Sequence, residues 1–466
     1  MKKNLFSCLL IAINMYIVLA RDRVIWPKFK NDNSNLFKLE NSEQEDNLDK
    51  LIFKIFHESN DRDQVIWPKF NNHNSKQEDN LEKSKDPQDL LNAETNFTDG
   101  LQIFADNLYK TASKNKVDNV LLSPLSINVA LGMIASGAEG NTKTEILKTL
   151  HFRENEQLVK ISYKNLIDNL MNVTGLTLQI LNKVFINDKL QVKSEFKDVL
   201  LNNFHAEEEQ LNFIDSETAA KSINTWVSRG TNDKIKNIVK PDDLSEDTAM
   251  IITNVVYFKG EWKNKFSKVD RQIFYTNSNK ETLVPIMYQY ADLEFGYASD
   301  INATFIELPY KNENLKMLIV LPNLIDGLEQ VEKSLETMNL KTLRQKRYLS
   351  KVDLYLPKFR VENTIDLNEV LQEMGMKEMF SPFANFSGIS EGNLQVSKIK
   401  QKTFIEVNEN GAEAAAVSEI EIGWKIGGED NPKLFVVDHP FHYKIIRTIG
   451  ENDGIVLFAG NCKYIE

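Results

Sequence analysis

The residues from about Asn96 to Glu466 predict a single large α+β domain, and three observations carry that prediction. Stretches with helical spacing are bounded by capping residues and glycines, as from Ser123 to Gly137. Other stretches alternate apolar and polar residues with a period of two, as from Val352 to Pro357. The two kinds follow one another in mixed order, unlike the regular strand and helix alternation of a doubly wound sheet.

Ahead of that domain, Lys2 and Lys3 precede a mostly apolar run from Leu5 to Leu19, and Val18-Leu19-Ala20 offers small side chains for cleavage. Residues 1–20 therefore read as a secretory signal, with Arg21 as the first mature residue and a secreted, extracellular product. The run is short for a membrane span, and no stop-transfer pattern follows it. Of the 2 cysteines, Cys8 leaves with the signal. Cys462 then stands alone, read as a buried free thiol with an intermolecular disulfide as the alternative, and stability has to come from a large core rather than from an internal disulfide.

Residues 21–95 are rich in Asn, Asp, Glu, Lys and Gln and contain a duplication. RDRVIWPKF (Arg21 to Phe29) recurs as RDQVIWPKF (Arg62 to Phe70), and QEDNLDK (Gln44 to Lys50) recurs as QEDNLEK (Gln77 to Lys83). Two copies are too few for a solenoid. So polar a stretch buries too little surface to offset chain entropy and reads as a disordered extension.

Within the domain, Ser123 is a good helix cap, Pro124 suits the first helical position, and Leu125, Val129 and Met133 recur at helical spacing until Gly137. FIELPY (Phe305 to Tyr310) and MLIVLP (Met317 to Pro322) read as two strands joined by a polar turn. Val352, Leu354 and Leu356 share one strand face, Asp353 and Tyr355 take the other, and Pro357 ends the run. Leu367, Val370, Leu371 and Met374 repeat the helical spacing before Gly375.

The net charge of -11 argues against nucleic acid and anionic membranes as partners. No HExxH, CxxC, G-x-S-x-G or Walker-type glycine loop occurs, so the common metal, redox, acyl-transfer and phosphate signatures are missing. No enzyme activity, metal or cofactor is expected. His439 and His442 form the only close histidine pair; three residues apart on a strand they face opposite ways, which suits structural or surface roles better than shared ligation.

The most unusual stretch is NENGAEAAAVSEIEIGWKIGG, Asn408 to Gly428. If extended, it presents Ala412, Ala414, Ala416, Ser418, Ile420 and Ile422 on one face and Glu413, Ala415, Val417, Glu419 and Glu421 on the other. That pattern fits a strand with one face buried, although AEAAA alone also suits a helix or a linker.

This stretch resembles the reactive-loop hinge of the serpin family, and matching motifs run in the family's order from about Asn96 to Glu466. NVLLSPLSINVALGMIASGAEGNT resembles the family's second helix with its serine pair, here Ser123 and Ser126. TNVVYFKGEW resembles the strand with a buried asparagine and a tryptophan, here Asn254 and Trp262. LPKFRVE, GMKEMFSPFANFSGIS, FIEVNENGAEAAA and VVDHPFHYKII are similar to further family segments. The family often has histidine where this chain has Gln401, which leaves open how Gln401 is wired to Ser123, Ser126 and Asn254.

The resemblance implies three β-sheets, eight or nine helices and an exposed reactive loop. It also implies a suicide substrate: a serine protease attacks the loop, and the cut loop inserts into the main sheet. The hinge comprises Glu409, Gly411, Ala412, Ala414, Ala415 and Ala416, and Ala412, Ala414 and Ala416 bring no charge that would obstruct insertion. Counting from Glu409 by the family's usual loop length places the cut at Lys425-Ile426, which implies a trypsin-like partner held in a covalent complex. A register one residue off would present Trp424 to a chymotrypsin-like pocket instead.

The alternative within the family is a non-inhibitory binding or storage protein that is cleaved without trapping. A monomer is expected. The acidic repeats read either as a passive spacer or as a contact for a basic protease surface, anchored by Trp26 and Trp67. Asn96, Asn172, Asn302 and Asn385 stand in glycosylation sequons.

Overall fold

Apolar spacing in this chain sorts into helices that bury one stripe and strands that bury one or both faces. The computed structural model describes residues 87–152, 156–171, 176–335, 339–409 and 432–465. The signal segment, the duplicated repeats, Asn172 and the loop residues 410–431 lie outside them.

Among the described residues there are nine α-helices: α1 (Pro87–Ser113), α2 (Pro124–Ala135), α3 (Gly140–Thr149), α4 (Glu156–Met171), α5 (Ser194–Phe204), α6 (Ser216–Gly230), α7 (Leu328–Leu335), α8 (Leu340–Arg344) and α9 (Asn368–Glu373). The first starts ahead of the Asn96 boundary expected from composition. It buries Phe97, Leu101, Phe104, Leu108 and Ala112, a stripe at helical spacing.

Helix α2 corrects the amphipathic reading of its segment. All of its residues are buried, not only the stripe at Leu125, Val129 and Met133. A helix apolar on every side belongs in the centre of a large core. Ser123 stands at its N-cap, but its side chain makes no capping bond; its hydroxyl donates to the Leu457 carbonyl at 2.8 Å.

A five-stranded sheet is built from β2 (Leu176–Asn187), β3 (Glu207–Leu211), β4 (Met250–Gly260), β12 (Phe359–Asp366) and β13 (Val396–Val407), in the order β12-β13-β4-β2-β3. A nine-stranded sheet runs β1-β16-β15-β10-β9-β8-β11-β14, with β5 (Ser267–Lys268) paired to β8. Its other members are β1 (Leu121–Leu122), β8 (Ile286–Ala298), β9 (Ala303–Pro309), β10 (Leu315–Pro322), β11 (Arg347–Pro357), β14 (Lys433–Val436), β15 (Phe441–Thr448) and β16 (Gly454–Cys462). The third sheet is the hairpin β6 (Gln272–Asn277) and β7 (Lys280–Val284). Strands β9 and β10 pair antiparallel across the expected polar turn, and Pro357 ends β11 as expected.

The five-stranded sheet separates two apolar cores. Ile252, Val256 and Phe258 of β4 face the larger one with α1 and α2, while Ile251, Val255 and Tyr257 face a smaller one capped by Ala219, Ala220, Ile223 and Val227 of α6. A period of two with both faces buried explains why β4 reads as an almost unbroken apolar run. No helix among the described residues is long and apolar enough to cross a membrane.

Candidate functional site

The site is built where β13 leaves the five-stranded sheet. Beyond Val407, the indole N–H of Trp262 donates to the Asn408 carbonyl at 2.9 Å, and the Phe266 N–H donates to the Glu409 carbonyl at 3.0 Å. Glu409 is buried, and its carboxylate is ion-paired with Lys358, so the charge has a partner at low exposure. Trp262 is itself fixed by a stack on Tyr310, with ring centroids 4.4 Å apart. Gly260 makes room for that stack, since a Cβ there would come within 2.6 Å of the Tyr310 ring. The chain thus leaves β13 from a fixed point and rejoins the described structure at Pro432, just before the edge strand β14.

The strand arrangement beneath this exit is unusual in a way that matters. β13 and β4 are neighbours and run parallel, with Gln401 opposite Asn254 and Thr403 opposite Val256. A segment following β13 and folding back would run antiparallel to β13 and, entering between the two, antiparallel to β4 as well. Antiparallel pairing, slightly more stable per residue than parallel, is then open on both of its edges.

Amides and hydroxyls close this seam on the side of the larger core. The side-chain N–H groups of Gln401 donate to the Ser123 carbonyl at 3.1 Å and to the Asn254 side-chain oxygen, while its Oε1 accepts from the Ser123 N–H at 2.9 Å. Asn254 in turn donates to the Ser126 hydroxyl and to the Asn182 side-chain oxygen. Asn182 lies directly opposite Asn254 on β2, so one chain of amides crosses three adjacent strands. Ser123, Asn254 and Gln401 are all nearly inaccessible to solvent, and such a network stabilises only while every member has its partner. None of these groups titrates in the physiological range.

Residues 99–464 match the family model described as Serpin (serine protease inhibitor). The chain belongs to the serpin family. It is similar to antichymotrypsin-2 of Bombyx mori, 34% identical over 80% of this chain and 97% of the relative, and to antitrypsin of the same organism, 33% identical over 80% and 93%. A solved serpin, Serpin48 of the insect Tenebrio molitor, superposes with a TM-score of 0.72 at 31% identity over 80% of this chain and 99% of that one. The fold also includes members that do not inhibit, and the family's activity is inhibition of proteases rather than catalysis of a reaction of its own.

In this serpin, Ser123, Ser126, Asn254 and Gln401 come together at the seam, and Trp262 and Glu409 come together at the exit from β13. Gly411, Ala412, Ala414, Ala415, Ala416, Lys425 and Ile426 lie outside the described residues. Asn96 is exposed on α1. Asn302 is exposed in a left-handed turn at φ 51°, where its side-chain oxygen accepts from Asn323 at 2.9 Å. Asn385 is also exposed, although its backbone is held by the Thr142 hydroxyl and the Glu139 N–H.

The two histidines turn to different partners. His439 sits before β15 with Nε2 2.8 Å from the Pro322 carbonyl and Nδ1 2.6 Å from Asp438. His442 lies on β15 with Nδ1 3.5 Å from Glu332. Both are buried, which gives them structural places rather than surface ones.

Sequence reading missed Asn182 and Lys358. Asn182 carried a usable signal: it falls on the same parity as Leu178, Ile180, Val184 and Ile186, a polar residue on an otherwise apolar strand face. Lys358 carried none, since a lysine after a strand proline is ordinary surface chemistry.

Proposed function

We propose that this serpin is a secreted suicide substrate for a trypsin-like serine protease, cleaved between Lys425 and Ile426. The observation that carries the reading is the parallel β4·β13 seam beside the exit of β13, which can receive the chain's own following segment antiparallel on both edges. The hinge that has to enter first offers only Ala412, Ala414 and Ala416 to one face, and no charge there has to be desolvated.

Chemically, the protease's serine Oγ attacks the Lys425 carbonyl carbon, its histidine passes the proton to the departing Ile426 amine, and an ester replaces the cut peptide bond. Entry of residues 411–422 between β4 and β13 then carries the bound protease away from the exit before water hydrolyses the ester. With strands ~4.8 Å apart, admitting one strand widens the seam to ~9.6 Å. The bond between Gln401 and Asn254 cannot span that gap, so the amide network opens as the strand enters.

The secretory signal at 1–20 delivers the chain to the extracellular space, where glycans on Asn96, Asn172, Asn302 or Asn385 are compatible with a monomeric inhibitor. The acidic repeats, each close to a tryptophan, supply a second contact to a basic protease surface.

Incubating the mature chain with trypsin tests the reading. A band at the summed mass that survives denaturation, and a released fragment beginning at Ile426, are the expected results. Complete cleavage with no covalent band, from trypsin and chymotrypsin alike, would overturn inhibition in favour of a cleaved, non-trapping member of the family.

A further inference from the structure

The seam is also closed from its other side, by charge. Lys398, Lys400 and Lys402 of β13 project from alternate positions onto the face covered by α6, and all three side chains are largely removed from solvent. Asp243 reaches two of them: it is 3.0 Å from Lys398 and is ion-paired with Lys400. Asp366 lies 3.7 Å from Lys398, and Lys402 is held by Glu362 at 3.0 Å and by the Lys236 carbonyl at 2.7 Å.

Asp243 does not belong to the β13 side of the seam. It sits in the connection between α6 and β4, seven residues before β4 begins, where Ile235, Ile238, Val239 and Leu244 are buried with α6, with Ile251 and Val255 of β4 and with Phe404 of β13. Asn224 of α6 ties that connection further, accepting from the Ile238 N–H at 2.8 Å and donating to the Val239 carbonyl at 2.8 Å. The carboxylate is held from its own side too, by the Lys240 N–H at 2.8 Å.

Burial resists ionisation of Asp243, yet that N–H and the two ammonium groups outweigh it and hold the carboxyl well below the usual range. The ion pairs therefore join β13 to the connection that leads into β4, the strand it has to part from. Moving β13 one strand spacing, ~4.8 Å, from β4 takes the lysines beyond contact with a carboxylate anchored on the β4 side.

We propose that Asp243 is a latch on sheet opening: its grip on Lys398 and Lys400 sets how fast the β4·β13 seam admits a strand. The proposal rests on the insertion reading given above and concerns its rate-setting contact. With the latch gone, three largely buried ammonium groups on one strand face retain only Asp366, Glu362 and one carbonyl, and moving toward water relieves them.

The test needs no protease. A synthetic acetylated peptide spanning Gly411 to Glu421 is incubated with the uncut chain, and its uptake is followed by native gel and by tryptophan fluorescence. Asp243→Asn and Lys400→Met are each expected to take up peptide at least threefold faster than the parent chain.

Glu332→Gln, a destabilising change on α7 outside the β4·β13 pairing, controls for general loosening and is expected to leave the rate unchanged. Uptake by Asp243→Asn that is no faster than the parent's, or an equal acceleration in Glu332→Gln, overturns the latch, as does a failure of every form to take up peptide. A parent chain that takes up peptide but forms no covalent complex with trypsin overturns the proposed function and leaves the latch standing.

Discussion

Gln401 shows how much one side chain can hold. Its amide serves both backbone groups of Ser123 and reaches across the seam to Asn254. Gln401→Ala strands those groups in a buried site, at a cost of about 2–4 kcal/mol, and lowers the thermal midpoint accordingly. Replacement by histidine keeps a polar side chain but installs a group that titrates near pH 6.5. Peptide uptake by the parent chain is then expected to have the same rate at pH 6 and pH 8, and uptake by Gln401→His to differ between them.

Cys462 makes a second prediction at this scale. It is wholly buried, and burial pushes its thiol well above the ordinary range. Iodoacetamide at pH 8 is therefore expected to leave the native chain unlabelled and to label it in urea.

Among elements, α7 is fastened to the nine-stranded sheet by a buried polar cluster. Glu332 accepts from the Tyr109 hydroxyl and from Asn461 at 3.1 Å, and lies 3.5 Å from His442. Desolvation, the largest effect on His442, drives its pKa down against the pull of Glu332. Burial of Glu332 opposes its charge, but nearby His442 and the hydrogen bonds from Tyr109 and Asn461 prevail and hold its carboxyl low.

The signs combine. The unfolded chain binds a proton at His442 more readily than the folded one, so stability falls as pH drops through about 6.5, and the contribution of Glu332 follows below about 4.3. Urea midpoints at pH 7.5, 6.5 and 5.5 are expected to decline in the parent and to decline less in His442→Asn.

The elements also mark how far sequence could be read. Alternation identified β11 because it carries one buried parity, β9 and β10 stood out as apolar runs on either side of a polar turn, and motif order identified Asn254 and Trp262. The partner of the Ser123 hydroxyl was not legible: a serine before a proline looks like a cap, and only tertiary contact reveals that the hydroxyl is turned to Leu457. Asp243 was equally hidden, since an acid in a polar connection has no local mark and its lysines lie on a strand far along the chain.

For the whole molecule, insertion couples the hinge to the sheet, so a charge placed in the hinge is felt as a change of outcome. Ala414→Asp is expected to be cut by trypsin as fast as the parent but to yield little or no covalent band, because an aspartate must be desolvated in the seam before the ester is hydrolysed. Complex formation at the parental level by Ala414→Asp would show that this face of the hinge stays in water.

The last three strands give the cut chain a further property. A break after Lys425 frees a piece that contains β14, β15 and β16, yet β15 lies between β10 and β16, β16 also pairs with β1, and β14 pairs with β11. The nicked molecule is therefore held together as a two-chain complex by the sheet itself. On a sizing column it migrates as one particle, and the smaller chain departs only when the sheet is denatured.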